Sequence, residues 1–200
     1  DASGNSFTAL GGGCMTPESL KYAELCIHEN SPIVAYGYNN DRTTRIKKFD
    51  EDQDTWISMG PEGFCNSCGV VDFKISNNQI FLLHVTAMEQ EAALELEKYN
   101  DVAQDWDAAG GFLTKTLFNS KISLEIFKNT QYASYIDGYT VGPQKQHILK
   151  YNQSESKWEE IFIGPTWTYI LSIAGWGDYL YFAYHRPYPS EKGYIKRILQ

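Results

Sequence analysis

The sequence predicts an all-β fold made of four similar four-stranded units that close into a ring. An aromatic residue followed a few positions later by glycine recurs along the 200 residues, at steps of 49, 50 and 52 positions. The aromatic residues of this phrase are Phe7, Trp56, Trp106 and Trp158. The 42 residues that follow Trp158 are one strand short of a repeat. The segment around Phe7 supplies that missing strand, which makes the arrangement circular.

Each unit contains four strand candidates separated by polar turns. The first candidate alternates apolar and polar residues, which is the pattern of a strand with one apolar face. The second is a nearly continuous apolar run, which is typical of a strand covered on both faces. These second strands are 33–36, 80–84, 132–135 and 180–184.

The third strand of each unit ends in a repeated phrase of lysine, an aromatic residue and Asp or Asn. The three copies are 48–50, 98–100 and 150–152, and a polar turn separates each from a tryptophan. The run 88–98 is rich in Glu, Ala and Leu, which favour a helix. Because the repeat places residues 98–100 at a strand end, we predict a loop that runs into a third strand there.

Four-stranded units that repeat about every 50 residues resemble the blades of a β-propeller. The resemblance covers essentially the whole chain and implies a single domain, 1–200, with four blades. The blades are predicted at about 18–60, 66–110, 118–164 and 167–200, the last one completed by residues 5–11. In such folds a strand from the opposite terminus closes the ring, and closure removes edge strands. The rival is a four-repeat part of a larger ring. The motifs of hemopexin, sialidase, kelch and WD40 repeats are not matched.

Charge and composition exclude some classes of partner. The net charge of −8 argues against nucleic acid, which is bound through clustered Lys and Arg. No apolar run approaches the roughly 18 residues of a membrane span. The opening Asp1-Ala2-Ser3 has no methionine and indicates a processed chain. We therefore expect an extracellular protein, and its self-association is left open.

Four cysteines lie in the first third of the chain. An even number in a processed chain predicts two disulfides, with the pairing left open, among Cys14, Cys26, Cys65 and Cys68. The two-residue gap between the last two is also a zinc half-site, but no second pair has matching spacing. Asn152 begins a glycosylation sequon in a predicted turn, which suggests a glycoprotein.

The ends of the second strands are the first candidate site. Propellers typically bind ligands on the face made by the loops that follow these strands, although the fold alone does not fix function. Tyrosines at loop edges offer rigid amphipathic area suited to sugars or proteins. The candidates are Tyr36, Tyr38, His84, Tyr135, Asp137, Tyr184, His185 and Arg186. We therefore predict a non-catalytic, lectin-like module that binds a glycan or an extracellular protein; the alternative is that the rings fill the space between blades.

The second candidate site is a pair of carboxyl groups at equivalent positions of neighbouring first strands, Glu24 and Asp72. They could bind a hard cation such as calcium through oxygen ligands, or divide acid and base roles. The simpler interpretation is a polar channel lining neutralised by Lys74. No other cofactor and no Ser or Cys nucleophile motif is predicted. Two alternative functions remain: a structural, self-assembling repeat domain, and a hydrolase or lyase with Glu24, Asp72 and Asp137 at the channel mouth.

Overall fold

The computed structural model describes residues 10–11, 20–38, 43–61, 64–66, 68–87, 92–110, 113–115, 122–137, 145–166, 169–186 and 192–199. These residues form strands and tight turns, with no helix among them. The strands make four antiparallel sheets arranged as a four-bladed β-propeller. The predicted fold class is therefore confirmed. The part of the chain that is described contains no helix long and apolar enough to cross a bilayer.

The strands follow the chain order within each blade. Blade 1 consists of β1 (Leu20–His28), β2 (Ser31–Tyr38), β3 (Thr43–Asp50), β4 (Thr55–Ser58) and β5 (Cys65–Asn66), the last paired with β3. Blade 2 consists of β6 (Cys68–Ser76), β7 (Gln79–Ala87), β8 (Ala92–Asn100), β9 (Asp105–Ala108) and β10 (Leu113–Lys115). Blade 3 consists of β11 (Ser123–Phe127), β12 (Thr130–Asp137), β13 (Lys145–Asn152) and β14 (Lys157–Thr166). Blade 4 consists of β15 (Tyr169–Trp176), β16 (Tyr179–Arg186) and β17 (Lys192–Leu199).

The strand that was predicted over the helix-favouring run is present as β8. Residues 88–91 of that run lie outside the described residues. Tertiary pairing with β7 over seven residue pairs overrides the local helix preference. The fourth-strand position differs between blades. In blade 2 it is occupied by two short strands, β9 and β10, whereas in blade 3 it is one continuous strand of ten residues, β14. This continuity accounts for the longer spacing between Trp158 and Gly164.

Two repeated turns join the strands. Between the first and second strands of blades 1 to 3, both central residues have positive φ, as in Asn77 (50°) and Asn78 (59°). That geometry matches the twist of a two-residue hairpin, and asparagine tolerates it well. Between the third and fourth strands, the side-chain oxygen of Asn100 accepts hydrogen bonds from the backbone N–H groups of Val102 and Ala103, each at 3.1 Å. Asp50 holds its turn in the same way, which explains the repeated phrase.

The core lies between the blades rather than within them. The cluster between blades 1 and 2 contains Ile33, Ala35, Ile46, Met59, Phe73, Ile80, Leu82, Tyr99 and Trp106. Comparable clusters join blades 2 and 3 and blades 3 and 4. Trp106 also donates its indole N–H to the carbonyl oxygen of Met59 at 3.2 Å. Trp106 therefore ties blade 2 to blade 1 through both packing and a hydrogen bond.

The glycine of the aromatic–glycine phrase is required by this packing. Gly60 has a φ of +80°, and a Cβ placed on it would lie 2.8 Å from Cδ1 of Trp106 in the next blade. Gly11 has the same relation to Trp56, also at 2.8 Å and with a φ of +69°. Gly11 therefore lies where the blade preceding blade 1 would end. Residues 5–9 of the predicted closing strand lie outside the described residues, so its pairing with β17 stays a prediction.

The junction between blades 4 and 1 is packed differently from the others. Leu25 of β1 is 65% exposed. Its counterparts on the other first strands are buried, with 6%, 0% and 2% exposed for Phe73, Leu124 and Ile173. On β17, Ile195 and Leu199 are 78% and 68% exposed, on the face away from blade 3. Among the described residues, apolar side chains that would meet across this junction remain accessible.

The glycine packing leads to a stability prediction. Alanine at Gly60 or at Gly177 (φ 61°) should cost about 1–2 kcal/mol, because both backbones are left-handed. At Gly60 the clash with Trp106 should add about 1–3 kcal/mol, whereas nothing lies within 4 Å of a Cβ at Gly177. Denaturant unfolding of the two variants measures the difference. Equal losses of unfolding free energy would show that the contact with Trp106 is not tight.

Candidate carboxyl site on the first strands

The first strands of the blades lie side by side around the axis of the ring. β1 contacts β6, β6 contacts β11, and β11 contacts β15. Because side chains alternate along a strand, the polar residues of each first strand share one face. The structure brings together Glu24 of β1, Asp72 and Lys74 of β6, and Glu125 of β11.

Asp72 links blade 2 to blade 3. The backbone N–H of Leu124 donates a hydrogen bond to Oδ2 of Asp72 at 2.7 Å, and the side chain of Ser123 also bonds to it. Burial nevertheless raises the pKa of the Asp72 carboxyl above its ordinary value of 3.8. Hydrogen bonds from Leu124 and the charge of Lys74 oppose that shift. The carboxyl is therefore both anchored and costly to ionise.

Glu24 is the less restrained carboxyl of the pair. Its residue is exposed, and its pKa is raised above the ordinary value of 4.5. Desolvation is the larger cause and the negative charge of Asp72 the second, while Lys74 acts in the opposite direction. The pKa of both carboxyls is thus raised, and perturbed carboxyls of this kind are frequent at functional sites.

Glu125 is a third carboxyl that the sequence analysis did not single out. Its Oε1 accepts a hydrogen bond from the backbone N–H of Gly175 in blade 4, at 3.0 Å. Its Oε2 lies 3.9 Å from Nζ of Lys74. Glu125 therefore links blade 3 to blade 4 and lies beside the ammonium group of Lys74, which is near the other two carboxyls. The sequence did contain a signal for Glu125, since it is one of the polar residues that alternate along a predicted first strand.

Four side chains of the predicted ligand-binding face lie inside the fold. Tyr36 and His84 are each 1% exposed, Tyr135 is 0% exposed and Tyr184 is 3% exposed. Tyr135 stacks on His147 with ring centroids 4.8 Å apart, and Tyr184 stacks on Tyr194 at 5.1 Å. Tyr135 and Tyr184 also belong to the clusters that join blades 2 and 3 and blades 3 and 4, which agrees with the alternative interpretation. His185 is half-buried on β16. The side chains of Tyr38, Asp137 and Arg186 lie outside the described residues.

The cysteine prediction is wrong for Cys26, which is a free thiol. Burial raises the pKa of this thiol to about 11, so it is protonated and weakly reactive at neutral pH. It lies on β1 beside the blade 1–blade 2 core, where a small apolar side chain packs well. Cys14 and the side chains of Cys65 and Cys68 lie outside the described residues.

Asn152 is held in its turn by its own side chain. Its Oδ1 accepts hydrogen bonds from the backbone N–H groups of Ser154 and Glu155, and its Nδ2 donates to Glu159 at 2.7 Å. A cavity of about 500 Å³ opens beside it at the turns of blade 3. Glycosylation stays a prediction, and a glycan on Nδ2 would have to displace Glu159.

A separate group of potential metal ligands lies in blade 2. His84, Glu95 and Glu97 place their ligand atoms within 4.8 Å of one another. The structure gives no comparable geometry for Glu24 and Asp72, so a channel cation there stays a prediction.

Comparisons with known proteins identify the fold but no family. No protein-family model matches the chain, and no curated protein matches it. An α-L-arabinofuranosidase from Fusarium graminearum is similar with a TM-score of 0.54 and 11% identity, over 89% of this chain and 61% of that chain. An exo-β-1,3-galactanase from Phanerochaete chrysosporium gives 0.59 and 9%, over 94% and 47%. An ulvan lyase gives 0.57 and 10%, over 88% and 55%.

At these identities the similarity shows the fold alone, and the chain spans 47% to 61% of the length of these three proteins. Their names describe carbohydrate-cleaving enzymes. The prediction of a non-catalytic binding module is therefore wrong, and the alternative of a hydrolase or lyase is better supported.

Proposed function

We propose that the protein is a glycoside hydrolase that cleaves a polysaccharide, with Glu24 and Asp72 as its two reacting carboxyls. The observation that carries the proposal is their placement on neighbouring first strands, with the pKa of each raised. Glycoside hydrolysis uses two carboxyl groups that flank the scissile bond, one protonated and one ionised. The arrangement supplies a pair of that kind on two first strands that lie side by side.

The environments of the two carboxyls assign their roles. Glu24 is the general acid, because desolvation and the charge of Asp72 both favour its protonated form. Asp72 is assigned as the carboxylate that acts as base or nucleophile: burial raises its pKa, but the N–H of Leu124 and the side chain of Ser123 oppose that rise by stabilising its anion. Glu24 gives its proton to the departing sugar oxygen, and water completes the hydrolysis.

Lys74 and Glu125 complete the site as positioning residues. Lys74 lies between the reacting carboxyls and Glu125, and its charge limits the rise in the pKa of both Glu24 and Asp72. Glu125 restrains Lys74 through their 3.9 Å contact. The similar arabinofuranosidase, galactanase and ulvan lyase support a sugar polymer as the substrate class. An extracellular location suits an enzyme that acts on such polymers.

The experiment measures release of reducing ends from arabinan, galactan, fructan and ulvan. Glu24→Gln should reduce the rate on the order of 10²–10⁴-fold, because it removes the proton donor. Glu51→Gln, in an exposed turn of blade 1, is the matched control and should keep wild-type activity. In the wild type, the rate should fall as pH rises through the raised pKa of Glu24, since the acid must be protonated.

Two outcomes would reject this function. The first is a wild-type protein that cleaves none of the four polymers. The second is a Glu24→Gln variant as active as Glu51→Gln. Products with unsaturated ends, detected by ultraviolet absorbance, would show that the reaction is elimination and not hydrolysis. They would also contradict the proposal.

A further inference from the structure

Blade 2 departs from the repeat at one cross-strand position. At one position of the second strand the other blades have tyrosine, namely Tyr36, Tyr135 and Tyr184, whereas blade 2 has His84. His84 pairs in register with Glu95 of β8. At the equivalent pairs, Tyr36 faces Arg45 and Tyr135 faces His147. Among the strand pairs that the structure describes, blade 2 alone combines an imidazole with a carboxylate directly across the ladder. A second carboxylate follows two residues along β8.

The distances within the His84 cluster, defined as His84, Glu95 and Glu97, match those of metal ligands. Nε2 of His84 lies 3.3 Å from Oε1 of Glu97 and 3.6 Å from Oε2 of Glu95. Ligand atoms held about 2.0–2.2 Å from a tetrahedral zinc lie roughly 3.3–3.6 Å from one another. The imidazole and both carboxylates thus lie on one face of the sheet at the separation that a shared ion requires.

The burial and the charge of the three side chains also favour a bound cation. The His84 side chain is 2% exposed, and those of Glu97 and Glu95 are 19% and 28% exposed. Oε2 of Glu97 is fully buried, and no hydrogen-bond donor contacts it within the described part of the chain. A buried carboxylate oxygen without a partner is costly unless a cation or proton compensates it. Two carboxylates beside one imidazole bring two negative charges together, and a divalent ion balances both.

The surroundings hold the imidazole in place. Nδ1 of His84 lies 3.3 Å from the hydroxyl of Thr86. The Phe64 ring meets the His84 ring edge to face, with centroids 5.4 Å apart. Phe64 also packs against Trp106, at 5.5 Å. A histidine ligand oriented through its second nitrogen and shielded by an aromatic ring is the usual support of a metal site.

We propose that His84, Glu95 and Glu97 form a transition-metal site of the zinc type beside the junction of blades 1 and 2. The nitrogen ligand disfavours calcium and magnesium, because both ions prefer oxygen ligands. Three protein ligands leave a fourth tetrahedral position for water or another donor. The site is distinct from the carboxyls of the first strands, and its ion would fasten the segment that carries Phe64 to blade 2.

The test uses the full chain, stripped with a chelator and titrated with Zn²⁺ by calorimetry. The wild type should bind one Zn²⁺ per chain and melt at a higher temperature when it is loaded. Glu97→Gln and Glu95→Gln should each weaken affinity at least about tenfold, because even the loss of a supporting residue has that effect. His84→Ala should abolish binding. The isosteric glutamine variants keep the test valid if that variant does not fold.

The matched control is Glu160→Gln, which removes the carboxylate that contacts another buried histidine, His147. It should leave zinc affinity unchanged. Three results would overturn the proposal: no stoichiometric zinc in the wild type, unchanged affinity in Glu97→Gln, or displacement of zinc by equimolar Ca²⁺. Loss of zinc in Cys68→Ser with retention in Glu97→Gln would assign the ion to the cysteines and would also overturn it. These readouts do not depend on polysaccharide cleavage.

Discussion

Replacing Asp72 with asparagine should reduce polysaccharide hydrolysis at least about 10⁴-fold while the protein gains resistance to unfolding at neutral pH. The loss of activity follows from removing the carboxylate that acts as base or nucleophile, which costs this much in enzymes that use one. Asparagine keeps an oxygen that can accept the hydrogen bond from the N–H of Leu124. The link between blades 2 and 3 is therefore retained in the variant.

The pH dependence of stability separates this role from a structural one. Burial raises the pKa of Asp72 in the folded protein above its ordinary value of 3.8. Its contribution to stability is then fully present below that ordinary value and is lost as pH rises through the raised folded value. Asparagine does not titrate. The melting temperature of the variant relative to wild type should therefore rise between about pH 4 and about pH 7.

Asp52→Asn provides the control, since Asp52 lies exposed in the turn after β3. It should change neither hydrolysis nor the pH profile of melting. An Asp72→Asn variant that melts well below the wild type at neutral pH would show that the ionised carboxylate stabilises the fold. Full activity in that variant would show that Asp72 takes no part in the reaction.

Truncating Trp106 to alanine should lower the free energy of unfolding by about 3–5 kcal/mol. Its side chain is 9% exposed and contacts Phe73 and Tyr99, with ring centroids 6.4 Å and 5.2 Å apart. The indole also donates to the Met59 carbonyl of the preceding blade. Because domains are stable by only about 5–15 kcal/mol, this one change removes a large part of the total.

Trp176→Ala is the matched control, because Trp176 is 76% exposed and should cost about 0.5 kcal/mol or less. Trp106→Phe keeps most of the ring packing and loses the hydrogen bond, so it should cost about 1–1.5 kcal/mol. That variant preserves the comparison if the alanine protein does not fold. Denaturant unfolding with equal losses at Trp106 and Trp176 would contradict a core located between blades.

The strands and turns were predictable because their signals are local. The alternation in a first strand, the apolar run in a second and the aspartate or asparagine at the end of a third each act over a few residues. Asn100 illustrates this, since its side chain bonds the N–H groups of the two residues that shape its turn. The four-fold repeat then predicted the ring, because each copy fills the same place.

The candidate sites were predictable only in part. Glu24 and Asp72 were found because the repeat aligns them on neighbouring first strands. Tyr135 and Tyr184 were assigned to a ligand-binding face, but the next element packs over them. Glu125 was overlooked because its partners, Lys74 and the N–H of Gly175, belong to other blades.

The sequence by itself therefore determined the blades, their order and the positions of the axial carboxyls, since these follow from short-range pattern and from repetition. Only the tertiary structure decided which face of a strand another blade covers, which thiol stays free and which side chains meet. Burial and electrostatic coupling depend on atoms that are distant along the chain. For that reason the grouping of His84 with Glu97, and the coupling of Glu24 to Asp72, emerged only from the folded arrangement.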